Sequence, residues 1–254
     1  MDITLEKLRN ITDKTGFNIE MIEKDYLLTK LLYLLKDIDG MYFKGGTALN
    51  KIFLNHERLS EDLDFTLTEP ISKIEEDIKE KLKGSIFKEI TYDKKVDRFT
   101  RMVVHYKLFH EKGTIFLDLN ERGKLILKPE KHKVIHFYGE YIPEFDVNTL
   151  AMKELIAEKM AAAIGRNKPR DHFDIYKIIM NKIPIDIELV KKKCKYSGDE
   201  YNIIKIFNKA NILKNKWDED INHQLSDTVS FETVMKTLAK YFKLKDEKEK
   251  LKKK

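Results

Sequence analysis

The chain has 254 residues, of which 42% are hydrophobic and 10% are aromatic. This length fits one large domain or two small ones, and the apolar content suffices for a buried core, which excludes a disordered chain. Its one cysteine, Cys194, excludes a disulfide framework and any multi-cysteine zinc or iron–sulfur site. No apolar run approaches the roughly 18 residues that a membrane span needs, and the charged N-terminus lacks the apolar region of a signal peptide. We therefore expect a cytoplasmic protein that does not associate with membranes.

The net charge of +6 arises from 49 Lys and Arg residues against 43 Asp and Glu residues. Much of the excess lies in the segment Lys243–Lys254, where seven lysines stand against three acidic residues. We predict that this segment is a solvated helix end. The rest of the chain is close to neutral, so its charge permits RNA as a partner without requiring it.

The first half of the chain mixes helical and strand patterns. Helical periodicity through residues 21–35 ends at Asp39-Gly40. A short strand at Met41–Phe43 then leads into Gly45-Gly46-Thr47, after which a helix is predicted to start near Thr47. The remaining elements predicted in this half are a strand at Leu63–Thr68, a helix at Ile71–Leu82, and strands at Thr100–Phe109 and Thr114–Asn120 joined by a turn at Glu111–Gly113.

The second half reads as helical only. Beyond about Asp146 strand signals disappear, and helices are predicted at residues 148–165, 170–180, 185–195, 201–214 and 230–242. We therefore predict an α+β fold, in which an N-terminal mixed sheet with helices precedes an all-helical C-terminal region. The predicted domains are residues 1–140 and 141–254, with the boundary region at 136–147.

Two aspartates separated by one residue are the first candidate for a functional site. Side chains alternate along the strand that contains Asp62 and Asp64, so both carboxylates share one face, roughly 6.5–7 Å apart. Leu63 and Phe65 point the other way, toward a core. Two such carboxylates repel each other unless a cation lies between them, and Mg²⁺ prefers one or two carboxylates together with substrate phosphates. The alternative is that this pair is simply surface acid.

A glycine segment upstream and a third acid downstream strengthen this interpretation. Gly45-Gly46-Thr47 lies between a strand and a helix start, where exposed N–H groups attract phosphate, although a Gly-Gly pair is commonly only a turn. Asp118 interrupts an apolar strand, and a third carboxylate there suits a two-metal phosphoryl-transfer site or a general base. An edge-strand acid facing water is the alternative for Asp118. In this order, the motifs predict a nucleotide-handling site.

A second constellation lies between Met152 and Asp174. Lys159 falls in the middle of an apolar helical stripe, where it needs a carboxylate or phosphate partner unless its ammonium reaches solvent. Asp171 and Asp174 follow Pro169, and both could serve only the first turn of a helix. Nearby basic residues could instead grip phosphates; they are Arg166, Lys168 and Arg170.

Other candidate chemistries are not supported by the sequence. The histidines lack metal-ligand spacing, and no Walker A, Gly-x-Ser-x-Gly or HExxH pattern occurs. Cys194 lies among lysines that would lower its thiol pKa, but nothing else supports a nucleophile there.

Three ordered motifs resemble those of the AbiEii/AbiGii family of nucleotidyltransferase toxins, within the DNA polymerase β-like nucleotidyltransferase superfamily. The first joins Lys44–Leu49 to Arg58–Phe65, and the second is the tetrapeptide Glu23–Tyr26. The third runs from Ala157-Glu158-Lys159 to Arg166 and then through Arg170–Asp174. Their order and spacing match across roughly residues 20–180, so the resemblance implies a nucleotidyltransferase-like sheet in the N-terminal half.

The resemblance also implies an activity and a set of site residues. It implies an enzyme that transfers a nucleoside monophosphate from an NTP with Mg²⁺, or with Mn²⁺ as the alternative metal. Related toxins modify tRNA acceptor ends and are neutralised by a cognate antitoxin, so we expect a tRNA 3′ end and an antitoxin as partners in an abortive-infection type of system. The implied roles are metal binding by Asp62 and Asp64, phosphate contact by Lys159, completion of the active site by Asp174 or Asp171, a third acid at Asp118, and nucleotide binding by Gly45, Gly46, Thr47, Lys51, Ser60 and Asp171.

Two other functions remain open at this point. The same chemistry could act on a protein side chain or a small molecule, since the basic excess is modest. A non-catalytic nucleotide-binding module of the same fold is the other alternative, although Asp62, Asp64, the glycine segment and Lys159 are all present.

Overall fold

The computed structural model describes residues 3–109 and 111–252; Met1, Asp2, His110, Lys253 and Lys254 lie outside these ranges, including the last two residues of the predicted tail helix. The chain divides into two compact units, Met1–Ala151 and Met152–Lys254.

The first unit contains a sheet with helices. Its helices are α1 (Leu5–Thr15), α2 (Ile19–Leu35), α3 (Gly45–Ala48), which continues as a π-helix over Leu49–Phe53, and α4 (Ile71–Leu82). Its strands are β1 (Met41–Lys44), β2 (Asp62–Leu67), β3 (Glu89–Val96), β4 (Phe99–Leu108), β5 (Glu111–Asn120), β6 (Glu130–Lys133) and β7 (Asp146–Thr149).

These strands form one mixed sheet in the order β3-β4-β5-β2-β1-β7-β6. The pairs β2–β5 and β1–β7 are parallel, and the remaining neighbours are antiparallel. Strand β2 therefore lies near the middle of the sheet, between β1 and β5. Residues on β2 consequently have neighbouring strands on both sides.

The two faces of the sheet differ in chemistry because side chains alternate along each strand. On the core face, Leu63 and Phe65 of β2 are buried, as are Leu117 and Leu119 of β5. Helix α2, which is apolar around most of its circumference, packs against β2 and α4. Burying one such Leu or Phe side chain contributes about 1.5–3 kcal/mol. The opposite face carries the half-buried polar residues of β2 and β5.

The second unit is helical throughout its described part. Its α-helices are α5 (Met152–Gly165), α6 (Pro169–Met180), α7 (Ile187–Tyr196), α8 (Ala210–Ile221), α9 (Phe231–Tyr241) and α10 (Leu244–Lys252), with 3₁₀ turns at Ile203–Phe207 and Asn222–Gln224. Helix α5 packs on α6 and α7, and α6 packs on α8 and α9. The predicted α+β fold class, a mixed sheet followed by helices, is therefore confirmed.

Several local predictions were wrong in detail. The helix after β1 begins at Gly45 rather than near Thr47, and the helix predicted over residues 201–214 is a 3₁₀ turn followed by α8. Strand β7 occupies Asp146–Thr149, where only helix was expected. Strand β3 was not predicted because seven of its eight residues are exposed, so it shows no apolar alternation.

Gly113 lies within a strand and not in the predicted turn. It pairs with Tyr106 across β4 and β5, and a Cβ atom at this position would lie 2.2 Å from the Tyr106 hydroxyl oxygen and 2.4 Å from Cζ. A contact below 3 Å cannot persist without displacement of one group. Any other residue here would have to displace the Tyr106 ring, which lies over the Gly113 backbone.

In residues 3–109 and 111–252, every helix is too short or too polar to cross a lipid bilayer.

We predict that Gly113→Ala destabilises the protein by about 1–3 kcal/mol, the usual cost of forcing an extra methyl group into a packed site. Urea denaturation measures this loss. In a Tyr106→Leu background, which lacks the clashing atoms, the same substitution should cost much less. Gly139→Ala is the matched control, because no atom lies within 4 Å of a Cβ there. Equal losses at positions 113 and 139 would contradict the steric explanation.

Candidate active site

Asp62 and Asp64 lie on β2, and both carboxylates point to the polar face of the sheet. Both residues are half-buried, whereas Leu63 and Phe65 between and after them are buried on the core face. The cross-strand partners of Asp64 are Lys44 on β1 and Asp118 on β5. The strand alternation therefore brings the acids together as the sequence predicted.

Gly45 joins the glycine segment to this acid pair. Its φ of +78° lies in the left-handed region, which non-glycine residues rarely adopt. A Cβ atom at Gly45 would lie 2.2 Å from Oδ2 of Asp64. The Asp64 carboxylate therefore lies directly against the Gly45 backbone, which only glycine permits.

Side chains of the following helical turn fix the glycine segment to β2. The Thr47 hydroxyl is buried and donates a hydrogen bond to the Asp62 carbonyl oxygen at 2.5 Å. Asn50 donates to the Gly46 carbonyl oxygen at 3.0 Å and accepts from the Arg58 N–H at 3.2 Å. These contacts hold Gly45, Gly46 and Thr47 beside the acids. The hydroxyl group of Thr47 is therefore used to bind the backbone of β2.

Ser60 lies two residues before Asp62 and is buried. Its hydroxyl oxygen accepts a hydrogen bond from Nη1 of Arg58 at 2.7 Å, and the same nitrogen donates to the Leu59 carbonyl oxygen at 3.0 Å. The guanidinium of Arg58 thus organises the loop that leads into β2.

Asp118 and Arg101 form a two-pronged ion pair on the same face. They are directly opposed on β5 and β4, with Nε to Oδ1 at 2.7 Å and Nη2 to Oδ2 at 2.8 Å. The hydrogen bonds to Asp118 outweigh partial burial, and with the charges of Asp118, Asp62 and Asp93 they raise the pKa of Arg101 further above its usual value. The interrupted apolar pattern at Asp118 thus reflects a carboxylate with a charged partner. Sequence analysis did not identify Arg101.

The donor set on this face suits a divalent cation that also binds substrate. Asp62 and Asp64 supply two carboxylates at half-buried positions, and Mg²⁺ commonly takes one or two carboxylates plus phosphate oxygens and water. Among the described residues, no cluster of three or more His, Cys, Asp or Glu side chains could hold a metal ion. A metal at this pair would therefore complete its coordination with substrate and water.

Lys51 lies in a buried network and not at the polar face. Its side chain is only 2% exposed, with Nζ 2.7 Å from Oδ1 of Asp25 and 2.8 Å from the Thr29 hydroxyl. The Tyr138 hydroxyl donates to Oδ2 of Asp25 at 3.0 Å and lies 2.9 Å from the Ile22 carbonyl oxygen. Burial lowers the pKa of Lys51, an effect that the charge of Asp25 opposes. Lys51 therefore ties the π-helix after the glycine segment to α2.

In the second unit, Lys159 lies between two carboxylates. Its Nζ is 3.0 Å from Oδ1 of Asp171 and 2.9 Å from Oδ2 of Asp174, and all three side chains are buried. Arg166 binds Asp171 with both prongs, at 2.8 and 2.9 Å. Burial alone would raise the pKa of Asp171, but the charge of Lys159 and the hydrogen bonds and charge of Arg166 outweigh it and hold this pKa well below its usual value.

This cluster answers two questions left open by the sequence. Lys159 has carboxylate partners and does not reach solvent, and Asp171, although in the first turn of α6, also carries an ion pair with Arg166. The ion pairs of Lys159 could not be predicted from sequence spacing alone, because they join a residue on α5 to two residues on α6.

Two further residues of the second unit play no part in such a site. His172 is fully buried, and its ring nitrogens lie 3.0 and 2.8 Å from the carbonyl oxygens of Lys168 and Ile206. The expected lowering of the Cys194 pKa is wrong: burial raises the pKa of this thiol, and the charge of Asp199 adds to the effect.

We predict that Lys51→Met and Asp25→Asn each destabilise the protein, by about 3–5 kcal/mol for the lysine, because removing one partner leaves a buried charge unpaired. The double variant should cost clearly less than the sum of the two. Urea denaturation of all four proteins measures the coupling. Strict additivity of the two losses would show that the pair does not interact.

His56 provides a prediction for the pH dependence of stability. Its Nε2–H donates to the Ile135 carbonyl oxygen at 3.0 Å, and Nδ1 is buried without a hydrogen-bond partner among the described residues. Burial first, and then the charge of Lys51, lower the pKa of His56 to about 4. Between pH 6.5 and 4 the unfolded chain therefore binds a proton that the folded chain does not.

The free energy of unfolding should thus fall with falling pH in this range, with His56 contributing about 1 kcal/mol per pH unit near pH 5.5. We expect His56→Asn, which tolerates the left-handed backbone, to show a slope smaller by this amount. Urea denaturation at several pH values makes the comparison. Identical slopes for the variant and the wild type would contradict the buried neutral imidazole.

Comparisons with known proteins identify the family and the fold. The chain matches the family model for the nucleotidyl transferase AbiEii toxin of type IV toxin–antitoxin systems over residues 26–242. No curated protein matches the sequence.

Two solved structures share the fold. MenT4, a nucleotidyltransferase toxin from Mycobacterium tuberculosis H37Rv, superposes with a TM-score of 0.70 at 20% identity, covering 95% of this chain and 89% of that one. JHP933 from Helicobacter pylori superposes with a TM-score of 0.64 at 21% identity, covering 93% and 95%. At these identities the structural likeness concerns the fold, whereas the family model spans most of the sequence. The chain therefore belongs to the AbiEii family of nucleotidyltransferase toxins of type IV toxin–antitoxin systems, and it is a nucleotidyltransferase.

Proposed function

We propose that this enzyme transfers a nucleoside monophosphate from an NTP to the 3′ end of a tRNA and releases pyrophosphate. The observation that carries the proposal is the packing of the Asp64 carboxylate against the Gly45 backbone. Because of this packing, the two acids that we propose to bind metal lie beside a backbone segment suited to phosphate, and nucleotidyl transfer needs both at one position.

The proposed residue roles follow from this juxtaposition. Asp62 and Asp64 hold Mg²⁺, with Mn²⁺ as the alternative, and such a metal neutralises charge on the α-phosphate oxygens. The backbone of Gly45, Gly46 and Thr47 holds the triphosphate. In the transfer, the acceptor oxygen forms a bond to the α-phosphorus, the bond to the β-phosphate oxygen breaks, and the hydroxyl proton leaves to solvent.

The second unit contributes its own charged cluster to the proposal. The phosphate contact that the resemblance implies for Lys159 would require its buried ammonium to exchange one of its two ion pairs, with Asp171 or Asp174, for the phosphate. Lys51 and Ser60, which the resemblance suggested as nucleotide ligands, are buried and bonded to protein groups, so they are positioning residues in this proposal.

The biological role follows from family membership. A toxin of a type IV system has a cognate antitoxin, and we propose that modification of tRNA in the cytoplasm is the step by which this enzyme blocks translation. Two phosphate-rich substrates, an NTP and a tRNA, would meet on one protein.

A protein or small-molecule acceptor is the second candidate. The observation that favours it is the modest positive charge of the chain outside its Lys-rich end, since RNA-binding surfaces are commonly strongly basic.

The deciding experiment incubates the purified protein with Mg²⁺, total tRNA and each of four α-labelled NTPs. We expect label on RNA with the wild type and at least a 100-fold loss with Asp62→Ala/Asp64→Ala, because removing metal ligands eliminates the main stabilisation of transition-state charge. Asp13→Ala, an exposed acid on α1, is the control and should transfer normally.

Label on protein in place of RNA would support the second candidate. Normal transfer by a folded Asp62→Ala/Asp64→Ala variant would show that the site is assigned to the wrong residues. Repeating the assay with Mn²⁺ in place of Mg²⁺ tests the metal.

A further inference from the structure

A row of charged residues crosses four strands of the sheet at the acid pair. Strand register aligns Lys44 on β1, Asp64 on β2, Asp118 on β5 and Arg101 on β4. Directly opposed residues share a face, and neighbouring strands lie about 4.8 Å apart, so the backbone of Arg101 is about 10 Å from that of Asp64. Lys44 leads into the glycine segment at one end of the row, and Arg101 stands at the other.

Arg101 is held in place but remains accessible. Its Nε and Nη2 groups bind Asp118, and the guanidinium lies 5.1 Å from the ring centroid of Phe116, the cross-strand partner of Asp62. The side chain is 34% exposed. Binding by Nε and Nη2 leaves the Nη1 edge of the fork, which lies 3.8 Å from Oδ2 of Asp93.

The position of Arg101 indicates which substrate it would meet. In nucleotidyl transfer the attacking oxygen and the leaving pyrophosphate lie on opposite sides of the α-phosphorus. The glycine segment, where the triphosphate is proposed to bind, lies on the β1 side of the acids. Arg101 lies on the β4 side, opposite the proposed triphosphate, so an acceptor that attacks in line with the leaving pyrophosphate would approach near it.

We propose that Arg101 binds a backbone phosphate of a polynucleotide acceptor and that Asp118 is a positioning residue, which orients this guanidinium. The inference rests on the proposed function and deepens it by naming an acceptor subsite. Guanidinium groups bind phosphate with two parallel hydrogen bonds, for which a preoriented fork loses less entropy than a mobile one. Both oxygens of Asp118 already accept hydrogen bonds from Arg101, so its use as a general base or metal ligand would require this pair to open.

The test compares steady-state kinetics of the wild type, Arg101→Gln, Arg101→Lys and Asp118→Asn with total tRNA and the NTP that labels it. Arg122→Gln is the matched control. Arg122 is an exposed arginine just after the C-terminal end of β5, and its guanidinium donates to the Asp97 carbonyl oxygen. Thermal melting shows that each variant is folded. The KM for tRNA is measured at several salt concentrations, because each phosphate contact contributes about one unit to the slope of log KM against log salt.

We expect Arg101→Gln to raise the KM for tRNA at least 10-fold, to lower that salt slope by about 1, and to leave the KM for NTP within twofold. Arg101→Lys should retain the salt slope and recover part of the affinity, because it keeps the charge but loses the fork. Asp118→Asn should raise the KM for tRNA, keep the salt slope and slow turnover less than 10-fold.

An unchanged KM for tRNA in Arg101→Gln, or an equal rise in Arg122→Gln, would overturn the inference while leaving the proposed function intact. Turnover slowed at least 100-fold in Asp118→Asn, with the KM for tRNA unchanged, would assign Asp118 to the chemical step and also overturn it. Failure of the wild type itself to label RNA would refute the tRNA acceptor and this inference together.

Discussion

Repulsion among carboxylates on one sheet face is the constraint around which the first unit is arranged. Asp62, Asp64 and Asp118 lie on adjacent strands and point the same way, in a half-buried setting where like charges repel one another. Arg101 bonds both oxygens of Asp118, and Lys44 stands across from Asp64. The Gly45 backbone fits against Asp64 without a side chain. Arg101, Lys44 and Gly45 are therefore each explained by the acid beside them.

Buried lysines elsewhere in the structure are also paired with opposite charges. In the described parts of the chain three lysines are buried, and each lies within 3.0 Å of a carboxylate oxygen: Lys51, Lys159 and Lys193. Such pairs contribute little net stability because desolvation offsets their attraction, but a missing partner is costly. Their effect is to select one arrangement of the helices that carry them. Lys193, for instance, joins α7 to Glu154 and Glu158 on α5.

The sequence predicted features that depend on short-range order. Alternation placed Asp62 and Asp64 opposite Leu63 and Phe65, and amphipathic spacing gave α4 its observed bounds of Ile71–Leu82. Features that depend on strand register could not be predicted from the sequence. Arg101 faces Asp118 only because β4 and β5 pair with one particular offset, and a one-residue slip would send it into the core. In the sequence, Gly113 was interpreted as a turn residue. The contact that explains it, with Tyr106, exists only in the folded sheet.

Electrostatic environment was likewise unpredictable from neighbours in sequence. Lys51 follows the glycine segment and resembled a phosphate ligand, yet its partners are Asp25 and Thr29, more than twenty positions earlier in the chain. Cys194 lies among lysines in the sequence, but burial has the largest effect on the pKa of its thiol and raises it. Charges close in sequence need not be close in space, and burial changes the effect of those that are.

Strand β3 has a consequence for the behaviour of the protein in concentrated solution. It forms one margin of the sheet, with its outer backbone groups available for pairing with a foreign strand, and such margins can seed aggregation. The register shift between Tyr92 and Lys94 interrupts the regular hydrogen-bond spacing, and four of the eight residues of β3 are charged: Glu89, Asp93, Lys94 and Lys95. A second chain would have to match an irregular template and remove water from these charged side chains. The exposed, polar character that left β3 without a strand pattern in the sequence thus also opposes edge-to-edge pairing with another chain.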